Sequence, residues 1–300
     1  MPIYSRHSIP IPSLGLPTWL FGPPDAAVSD NIAFVDTTRP ETHSLTFAEY
    51  KLWSRRLAAG LQRSGLKPGD RVLVFSGNNI YFPVLFMGIL MAGGIFTGAN
   101  PSFVARELAY QLSDSGAKFL LAADSRLELA LEAIQQSHMS KEHVFVFDDE
   151  KSSNSFLGVR NWKDLLVTIS EGERFRWWEP ENPKESTCCL NYSSGTTGVP
   201  KGVEITHYNY VANNSQVIYN ANLHPDAEDI TDRSKWLCFL PMYHAMGQTN
   251  FVTIAPRRGI PVYIMPKFDF IQVLENIQRF KITQLDLVPP IVVVRILLFS

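Results

Sequence analysis

The sequence predicts an α/β fold in which layered βαβ units surround a mainly parallel sheet. Short apolar runs of strand length alternate with longer segments in which apolar residues recur at helical spacing. A chain of 300 residues is long enough for one large domain or two ordinary ones. Apolar residues make up 45% of it and charged residues 19%, a composition typical of a globular chain with an extensive core.

The first half of the chain begins with a proline-rich segment, residues 1–30, that lacks a clear periodicity. Thr46 and Glu49 then form a capping-box pattern, which predicts a helix that runs to about Ser64 and is ended by Gly65. The other elements expected in this half are strands at 32–36, 71–75, 118–122 and 143–147 and helices at 105–113 and 127–136.

An uncharged segment, residues 80–98, is about as long as a membrane span. One proline and four glycines interrupt it, however. We therefore interpret it as a buried helix to about Met91, a turn at Gly93 and Gly94, and a short core strand, and we expect no membrane span.

The second half follows a polar, irregular stretch, residues 148–183, which we interpret as a long connection. Within this stretch, Trp177 and Trp178 are expected to be packed anchors. Beyond it, we expect strands at 236–239, 261–265 and 282–287 and helices at 207–221, at 268–280 and from 289 onwards.

Charge and cysteine content exclude several classes of function. The formal net charge is −2, the isoelectric point is about 6.4 and no run of Lys or Arg occurs, so no nucleic-acid partner is expected. The cysteines, Cys188, Cys189 and Cys238, form no Cys-x-x-Cys pair and predict neither a disulfide framework nor a zinc site. The first residues lack the apolar run of a signal peptide, which predicts an intracellular protein.

The most informative stretch is LNYSSGTTGVPKGVEITH, residues 190–207. Two serines, two threonines, three glycines and one lysine, Lys201, fall within residues 193–202. Glycines let backbone N–H groups point into a common concavity, hydroxyls add donors, and the lysine adds a positive charge. We therefore predict a phosphate-binding loop between a strand and a helix.

This loop is not the Walker A loop of nucleoside triphosphatases. That motif requires glycine before the lysine and serine or threonine after it. Here Pro200 precedes Lys201 and Gly202 follows it. A solvated loop rich in serine, threonine and glycine is the simpler alternative, but the lysine and the flanking pattern favour phosphate binding.

From Tyr192 to Gly202, the stretch resembles the signature loop of the adenylate-forming (ANL) superfamily. This superfamily includes acyl-CoA synthetases, 4-coumarate–CoA ligases, luciferases and peptide-synthetase adenylation domains. Three further stretches resemble core pieces of the same family: LKPGDRVLVFSGN at 66–78, GGIFTGANP at 93–101 and PMYH at 241–244.

The resemblance covers nearly the whole chain but little more than half of the family's length. It implies the large N-terminal domain of an adenylate-forming enzyme, incomplete at residues 1–300. The expected parts are a first βαβ part (1–150), a connection (151–185) and a phosphate-loop part (186–300). The motifs that hold adenine and ribose in this family are absent from the sequence, as is the C-terminal lid domain with its catalytic lysine.

The resemblance also implies a reaction. A carboxylic acid attacks the α-phosphate of ATP to give an acyl-adenylate, and coenzyme A then displaces AMP, with Mg²⁺ on the phosphates. His244 is expected to orient the carboxylate, whereas an isolated histidine is more often structural, as we expect for His207. The residues expected to hold the triphosphate are Ser193, Ser194, Gly195, Thr196, Thr197, Gly198 and Lys201. Of these, the lysine is expected to assist catalysis as an electrostatic ligand and not as a base.

The acid-binding pocket is expected to be lined by Tyr243, Met246 and Asn250. In ligases for hydroxycinnamates, tyrosine stands at the position of Met246 and serine at that of Asn250. Because methionine makes no fixed hydrogen bond, a fatty, polyketide-derived or otherwise less phenolic acid is favoured. Lys267 matches a lysine that meets the phosphates of coenzyme A in plant ligases, and a solvated lysine at a helix start is the alternative.

Three interpretations stay open at this point. The first is an acyl-CoA ligase of fungal or plant type, the second is an adenylation domain that loads a carrier protein, and the third is a truncated product without activity. Release of AMP that depends on coenzyme A would separate the first two, and the missing motifs favour the third for the chain taken alone. The family resemblance implies a location in the cytoplasm or the peroxisome, and no peroxisomal signal ends this sequence.

Overall fold

Two β-sheets form the framework of the described part of the chain. The computed structural model describes residue 5 and residues 7–137, 139–148, 156–193, 199–289 and 291. The strands are β1 (Ile32–Asp36), β2 (Ser44–Thr46), β3 (Arg71–Phe75), β4 (Ile95–Ala99), β5 (Ala117–Ala123), β6 (Val144–Phe147), β7 (Arg160–Asn161), β8 (Thr187–Ser193), β9 (Lys201–Thr206), β10 (Trp236–Cys238), β11 (Val262–Ile264) and β12 (Gln284–Leu285).

Helices connect these strands and cover the sheets. They are α1 (Leu16–Phe21), α2 (Phe47–Arg63), α3 (Phe82–Met91), α4 (Ala105–Ser115), α5 (Leu127–Gln135), α6 (Ile169–Arg174), α7 (His207–Ala221), α8 (Ala227–Arg233), α9 (Ala245–Gly247), α10 (Ala255–Arg257) and α11 (Phe270–Phe280). A π-helical segment, Gln248–Ile254, joins α9 to α10 without a break.

The pairing of the strands is mainly parallel. The larger sheet has the order β7-β6-β5-β3-β4-β8-β9, in which only β8 and β9 are antiparallel. The smaller sheet has the order β12-β10-β11-β1-β2, in which only β1 and β2 are antiparallel. Parallel neighbours need long crossover connections, and helices supply them here. The predicted α/β class with layered βαβ sheets is therefore confirmed.

The chain crosses from the smaller sheet to the larger and back again. β8, which precedes the predicted phosphate loop, pairs with β4 so that Phe96 lies opposite Cys189. β1, from the start of the chain, pairs with β11 so that Phe34 lies opposite Val262. Residues 1–150 and residues 186–300 thus share both sheets, which brings strand ends from the two parts close together.

The uncharged segment, residues 80–98, forms the helix and strand expected of it, α3 and β4. All ten residues of α3 are buried, since the helix packs against α2 and also contacts α1 and β4. A helix that is buried on every side is apolar on every side. Among the described residues, no helix combines the length and apolarity needed to cross a membrane.

The predicted capping box at the start of α2 is confirmed. Oγ1 of Thr46 accepts the backbone N–H of Glu49 at 3.1 Å, and the Glu49 carboxylate accepts the backbone N–H of Thr46 at 2.8 Å. Two N–H groups that lack a partner within the helix are thereby satisfied. The helix begins and ends within about one residue of the expected bounds.

The polar stretch, residues 148–183, is more ordered than the sequence indicated. In its described part, β7 adds an edge strand to the larger sheet, and the 3₁₀ turn Trp162–Leu165 buries Trp162 completely. The prediction that Trp177 is a packed anchor is confirmed, since it is buried and its indole N–H donates to Oγ1 of Thr18 at 2.9 Å. β7 has only two residues and Trp162 is a single buried side chain. Neither carries a periodicity, so the sequence analysis missed both.

His207, the first residue of α7, has the structural role expected for it. Its side chain is buried, and Nδ1 accepts the backbone N–H of Leu16 at 3.1 Å. Burial lowers the pKa of His207 to about 4. An accepting Nδ1 and a lowered pKa both correspond to a neutral imidazole that connects α7 to α1.

We predict that protonation of His207 destabilises the fold in mildly acidic solution. The unfolded chain takes up this proton near pH 6.5, whereas the folded chain takes it up only near pH 4. The free energy of unfolding should therefore fall by up to about 3 kcal/mol as the pH is lowered through this window. Urea unfolding of the wild type and of His207→Gln at several pH values measures the effect. Equal pH slopes for the two proteins would contradict the prediction.

Candidate active site

A cleft of about 600 Å³ opens where the carboxyl ends of β4 and β8 meet the turn that follows β10. Ligands of α/β proteins commonly bind at the carboxyl ends of parallel strands, where loops converge. The described residues that line the cleft are Gly98, Asn100, Phe103, Glu107, Gln111, Asn191, Tyr192, Ser193, Pro200, Tyr243 and His244. The cleft thus brings together Ser193, from the predicted phosphate loop, and the predicted site residues Tyr243 and His244.

The predicted phosphate loop is the tip of a β-hairpin. β8 ends at Ser193 and β9 begins at Lys201, and these two residues lie opposite each other in the antiparallel register. The described residues do not include Ser194, Gly195, Thr196, Thr197 and Gly198. The structure therefore places the two ends of the loop, and the contacts of the loop itself stay a prediction.

The helix predicted at 207–221 is confirmed as α7, but the strand β9, which lies between the loop and that helix, was missed. β9 comes first, and only then does Thr206 cap α7, with its Oγ1 accepting the backbone N–H of Asn209 at 3.1 Å. Val203 and Ile205 alternate with polar residues, as in a strand, but so short an alternation does not stand out in the sequence. The loop is therefore flanked by two strands, β8 and β9.

Side chains of α4 hold the hairpin on both sides of the predicted phosphate loop. On the β8 side, the hydroxyl of Tyr192 donates to Oδ2 of Asp114 at 2.6 Å. On the other side, the hydroxyl of Tyr110 donates to the carbonyl oxygen of Pro200 at 2.9 Å. Burial, together with the hydrogen bond to Asp114, raises the pKa of Tyr192, so its hydroxyl stays a donor. Two exposed side chains of α4, Tyr110 and Asp114, thus hold the two ends of the loop.

The turn that carries His244 is held by the side-chain amide of Asn78, which lies just beyond the end of β3. Nδ2 of Asn78 donates to the carbonyl oxygens of Leu240 at 3.0 Å and Met265 at 3.2 Å. Its Oδ1 accepts the backbone N–H of Met242 at 2.9 Å. One amide therefore connects the larger sheet to the ends of β10 and β11 in the smaller sheet.

Gly98, in β4, allows the larger sheet to approach the same turn. A Cβ atom at this position would lie 2.8 Å from Cβ of Tyr243 and 3.0 Å from its carbonyl oxygen. Neither distance leaves room for a side chain. Gln111 holds the strand in this place, since its Nε2 donates to the carbonyl oxygen of Gly98 at 3.1 Å.

His244 lines the cleft with an exposed side chain. Its backbone N–H donates to the carbonyl oxygen of Pro241 at 3.2 Å, and its ring centroid lies 4.5 Å from that of Tyr243. Partial desolvation by the walls of the cleft lowers the pKa of His244. At pH 7 the imidazole is therefore neutral and offers one donor and one acceptor, a suitable pair for the orientation of a carboxylate.

The structure does not place the remaining predicted contact residues in the cleft. Met246 is 39% exposed, and the side-chain amide of Asn250 donates to Oδ2 of Asp286 at 2.9 Å, beyond the end of β12. Lys267 is exposed in the loop that follows β11. The roles expected for these residues in binding the acid and coenzyme A stay predictions.

Sequence reasoning missed two side-chain amides that support the site. Asn78 was interpreted only as part of the scaffold, although its position beyond a buried strand was a usable signal. Gln248 was not singled out, yet it is completely buried and its Nε2 donates to the carbonyl oxygen of Tyr243 at 2.9 Å. A lone glutamine carries no pattern, so the sequence held no signal for its role.

A second cavity, of about 650 Å³, lies between α7, α8 and α10. It contains none of the predicted site residues, and the carboxylates of Glu228 and Asp232 share its lining with Arg257 and Arg258. In the part of the chain that the structure describes, no group of three or more His, Cys, Asp or Glu residues is arranged to hold a metal ion. The cleft beside His244 is the better candidate, because it joins two motifs that are far apart in the sequence.

The fold and the cleft define the class of protein. The family described as AMP-binding enzyme matches residues 25–298, which is almost the whole chain. The chain belongs to the AMP-binding enzyme family, and this confirms the resemblance to adenylate-forming enzymes that its motifs indicated.

Individual relatives are acid–CoA ligases. The chain is 31% identical over 286 residues to phenylacetyl-CoA ligase epaB of Aspergillus niger, an alignment that covers 95% of this chain and 51% of that protein. It is 31% identical over 252 residues to 4-coumarate–CoA ligase 4 of Arabidopsis thaliana, an alignment that covers 83% of this chain and 42% of that protein. The solved structure of the long-chain-fatty-acid–CoA ligase FadD1 from Archaeoglobus fulgidus superposes with a TM-score of 0.77 at 25% identity and covers 94% of this chain and 53% of that one. The chain spans about half the length of the curated relatives it matches.

We predict that Asn78→Ala lowers the free energy of unfolding by about 2–4 kcal/mol. The reason is that three buried backbone groups lose their hydrogen-bond partner, at a cost of about 1–3 kcal/mol each if the surrounding structure does not adjust. The matched control is Asn213→Ala, at an exposed position of α7, which should change stability by no more than about 0.5 kcal/mol. Urea unfolding of the two variants measures both values. A loss below about 1 kcal/mol for Asn78→Ala would show that the amide does not hold the two sheets together.

Proposed function

We propose that this chain forms the phosphate-binding half of the active site of an ATP-dependent acid–CoA ligase. A carboxylate oxygen attacks the α-phosphorus of ATP, and the bond to the bridging oxygen of pyrophosphate breaks. The thiol of coenzyme A then attacks the acyl carbon, and AMP leaves. The observation that carries the proposal is the single cleft lined by both Ser193 and His244. The ligase relatives support it, and because the chain spans about half their length, the activity of the whole protein is part of the proposal.

The hairpin tip forms the phosphate end of the site. The residues proposed to donate backbone N–H groups and hydroxyls to the β- and γ-phosphates are Ser193, Ser194, Gly195, Thr196, Thr197 and Gly198. Lys201 begins β9 opposite Ser193 and is exposed, so its ammonium can reach the phosphates. At about 4 Å and an effective dielectric constant of about 20, one such charge pair gains about 4 kcal/mol.

His244 forms the carboxylate end of the site. Its pKa is lowered, so the neutral imidazole donates one hydrogen bond to the carboxylate without holding it as a tight ion pair. A carboxylate that keeps its charge unpaired is the better nucleophile toward phosphorus. The contribution of this residue is orientation of the reactants, with stabilisation of the charge that develops on the α-phosphate.

Mg²⁺ and coenzyme A enter the proposal as substrates and not as resident groups. Mg²⁺ arrives with ATP, since it prefers phosphate oxygens and water, and we assign it no ligand in this chain. Coenzyme A is the thiol acceptor, and Lys267 is proposed to meet its phosphates. An acyl-carrier protein is the alternative acceptor, which a test for AMP release that depends on coenzyme A would identify.

The acid is proposed to be less phenolic than a hydroxycinnamate. Met246 and Asn250 stand where those ligases carry hydrogen-bonding groups, and Tyr243 supplies an aromatic wall to the cleft. A place in fungal-type secondary metabolism agrees with the two Aspergillus niger ligases among the relatives. Free, buried thiols at all three cysteines suit a reducing compartment, which we propose to be the cytoplasm or the peroxisome.

We predict that Lys201→Ala weakens the binding of pyrophosphate by at least about tenfold, since a loss of about 1.4 kcal/mol corresponds to that factor. Isothermal titration of the chain with inorganic pyrophosphate measures the dissociation constant. Lys67→Ala removes another exposed lysine from a turn and serves as the control, with an expected change below about twofold. Equal affinities for wild type and Lys201→Ala would contradict the assignment of the phosphate loop.

We predict that His244→Ala leaves the affinity for pyrophosphate within about threefold but lowers ATP–pyrophosphate exchange by about 100-fold, since it removes orientation and not phosphate binding. The assay follows labelled pyrophosphate into ATP, with acids from cinnamic to long-chain fatty acids. The control His224→Ala, at an exposed position, should retain the wild-type rate. An unchanged exchange rate in His244→Ala would remove this histidine from the mechanism.

A further inference from the structure

Gln248 is a completely buried amide at the start of the π-helical segment, four residues after His244. A buried side-chain amide is costly unless its polar groups are paired, so its partners indicate why it is there. Those partners lie on β8, on α7 and in the turn after β10. No step of the proposed reaction assigns a role to this residue.

The hydrogen bonds of Gln248 use the whole capacity of its amide. Nε2 donates to the carbonyl oxygen of Tyr243 at 2.9 Å and to Oδ1 of Asn191 at 3.2 Å. Oε1 accepts from Nδ2 of Asn191 at 3.1 Å, and the hydroxyl of Tyr210 donates to the same oxygen. Because the carbonyl of Tyr243 can only accept, the amide has one orientation in which every group is paired. We call these four residues the amide hub.

Two members of the amide hub lie directly beside residues of the proposed active site. Asn191 lies two residues before Ser193 on β8, and both line the cleft. Tyr243 immediately precedes His244. One buried side chain therefore connects the strand that carries the phosphate loop to the turn that carries the histidine.

The π-helical segment offers a second buried polar residue, Thr253, whose hydroxyl meets the backbone carbonyl oxygen of Gln248 at 3.2 Å but not the side-chain amide of the hub. Thr253 is also completely buried, and its Oγ1 donates to the carbonyl oxygen of Thr249 at 2.6 Å and accepts Nδ2 of Asn214 at 2.9 Å. It contacts neither the phosphate-loop strand nor the histidine turn through these bonds. Its replacement by valine therefore costs stability in the same segment and leaves every side-chain hydrogen bond of Gln248 in place.

We propose that Gln248 is a positioning residue, which holds the His244 turn at a fixed distance from the phosphate-loop hairpin and couples the two. This inference rests on the proposed function, because it concerns the relative placement of the phosphate site and the carboxylate site. Each site keeps its own ligand contacts when Gln248 is replaced, but the two reactants are no longer aligned. A misplacement of about 1 Å between reactants can cost about 100-fold in rate.

The test compares Gln248→Met, which keeps the length of the side chain but removes the amide, with Thr253→Val as the matched control. The expected result for Gln248→Met is a kcat for ATP–pyrophosphate exchange about 10–100-fold lower, with KM for ATP and the affinity for pyrophosphate within about twofold. Thr253→Val should lose a similar amount of thermal stability but keep kcat within about twofold. In a His244→Ala background, Gln248→Met should add less than about twofold, because the residue that it positions is gone.

A second measurement reports the coupling without turnover. Hydrogen–deuterium exchange of the chain, with and without inorganic pyrophosphate, follows the backbone amides on both sides of the cleft. In the wild type and in Thr253→Val, pyrophosphate should slow exchange both at residues 191–193 and at residues 243–247. In Gln248→Met, protection should remain at the first segment and disappear at the second.

Several outcomes would overturn the inference. They are a kcat in Gln248→Met equal to that of Thr253→Val, effects of Gln248→Met and His244→Ala that multiply in full, or protection of residues 243–247 that persists without the amide. If the wild type itself neither binds pyrophosphate nor exchanges it, the proposed function fails and the inference fails with it. If the wild type does both and the two variants agree, the inference alone is wrong.

Discussion

The contact between β4 and the turn after β10 is the constraint on which the candidate site depends. At this contact, Gly98 lies against Tyr243 with no room for a side chain. The close approach brings the strand ends of two sheets into one cleft and determines how far the phosphate-loop hairpin lies from His244. Because protein interiors are close-packed and deform little, the alignment of the reactants would follow from the packing of the sheets.

Side-chain amides, rather than ion pairs, hold the elements around this contact. Asn78, beyond the end of β3 in the larger sheet, pairs with backbone groups beyond the ends of β10 and β11 in the smaller sheet, and Gln248 pairs with Asn191, Tyr210 and Tyr243. Ion pairs such as that of Arg63 and Glu171 lie at the surface, where a pair contributes about 0–1 kcal/mol. Amides with a single fully paired arrangement specify geometry, since any other arrangement leaves a buried polar group without a partner.

Features formed by consecutive residues with a clear pattern were predicted from the sequence, whereas features formed by short strands or by residues far apart were not. α2 has 17 residues, a capping box and an apolar face, and its bounds were predicted closely. β7 has only two residues and β9 only two apolar ones, so neither strand was predicted, although the helix that follows β9 was. The motifs around Lys201 and His244 were recognised because each is compact. The supporting amides were not, since Asn78 lies 164 residues from Met242 and Gln248 lies 57 residues from Asn191.

The position of pyrophosphate bound to the chain tests the central claim most directly. A crystal structure of the chain grown with inorganic pyrophosphate would give that position. We expect phosphate density in the cleft, between the hairpin tip at Ser193 and Lys201 on one side and His244 on the other. Density beside Arg257 and Arg258 in the second cavity, with none in the cleft, would contradict the assignment of the active site.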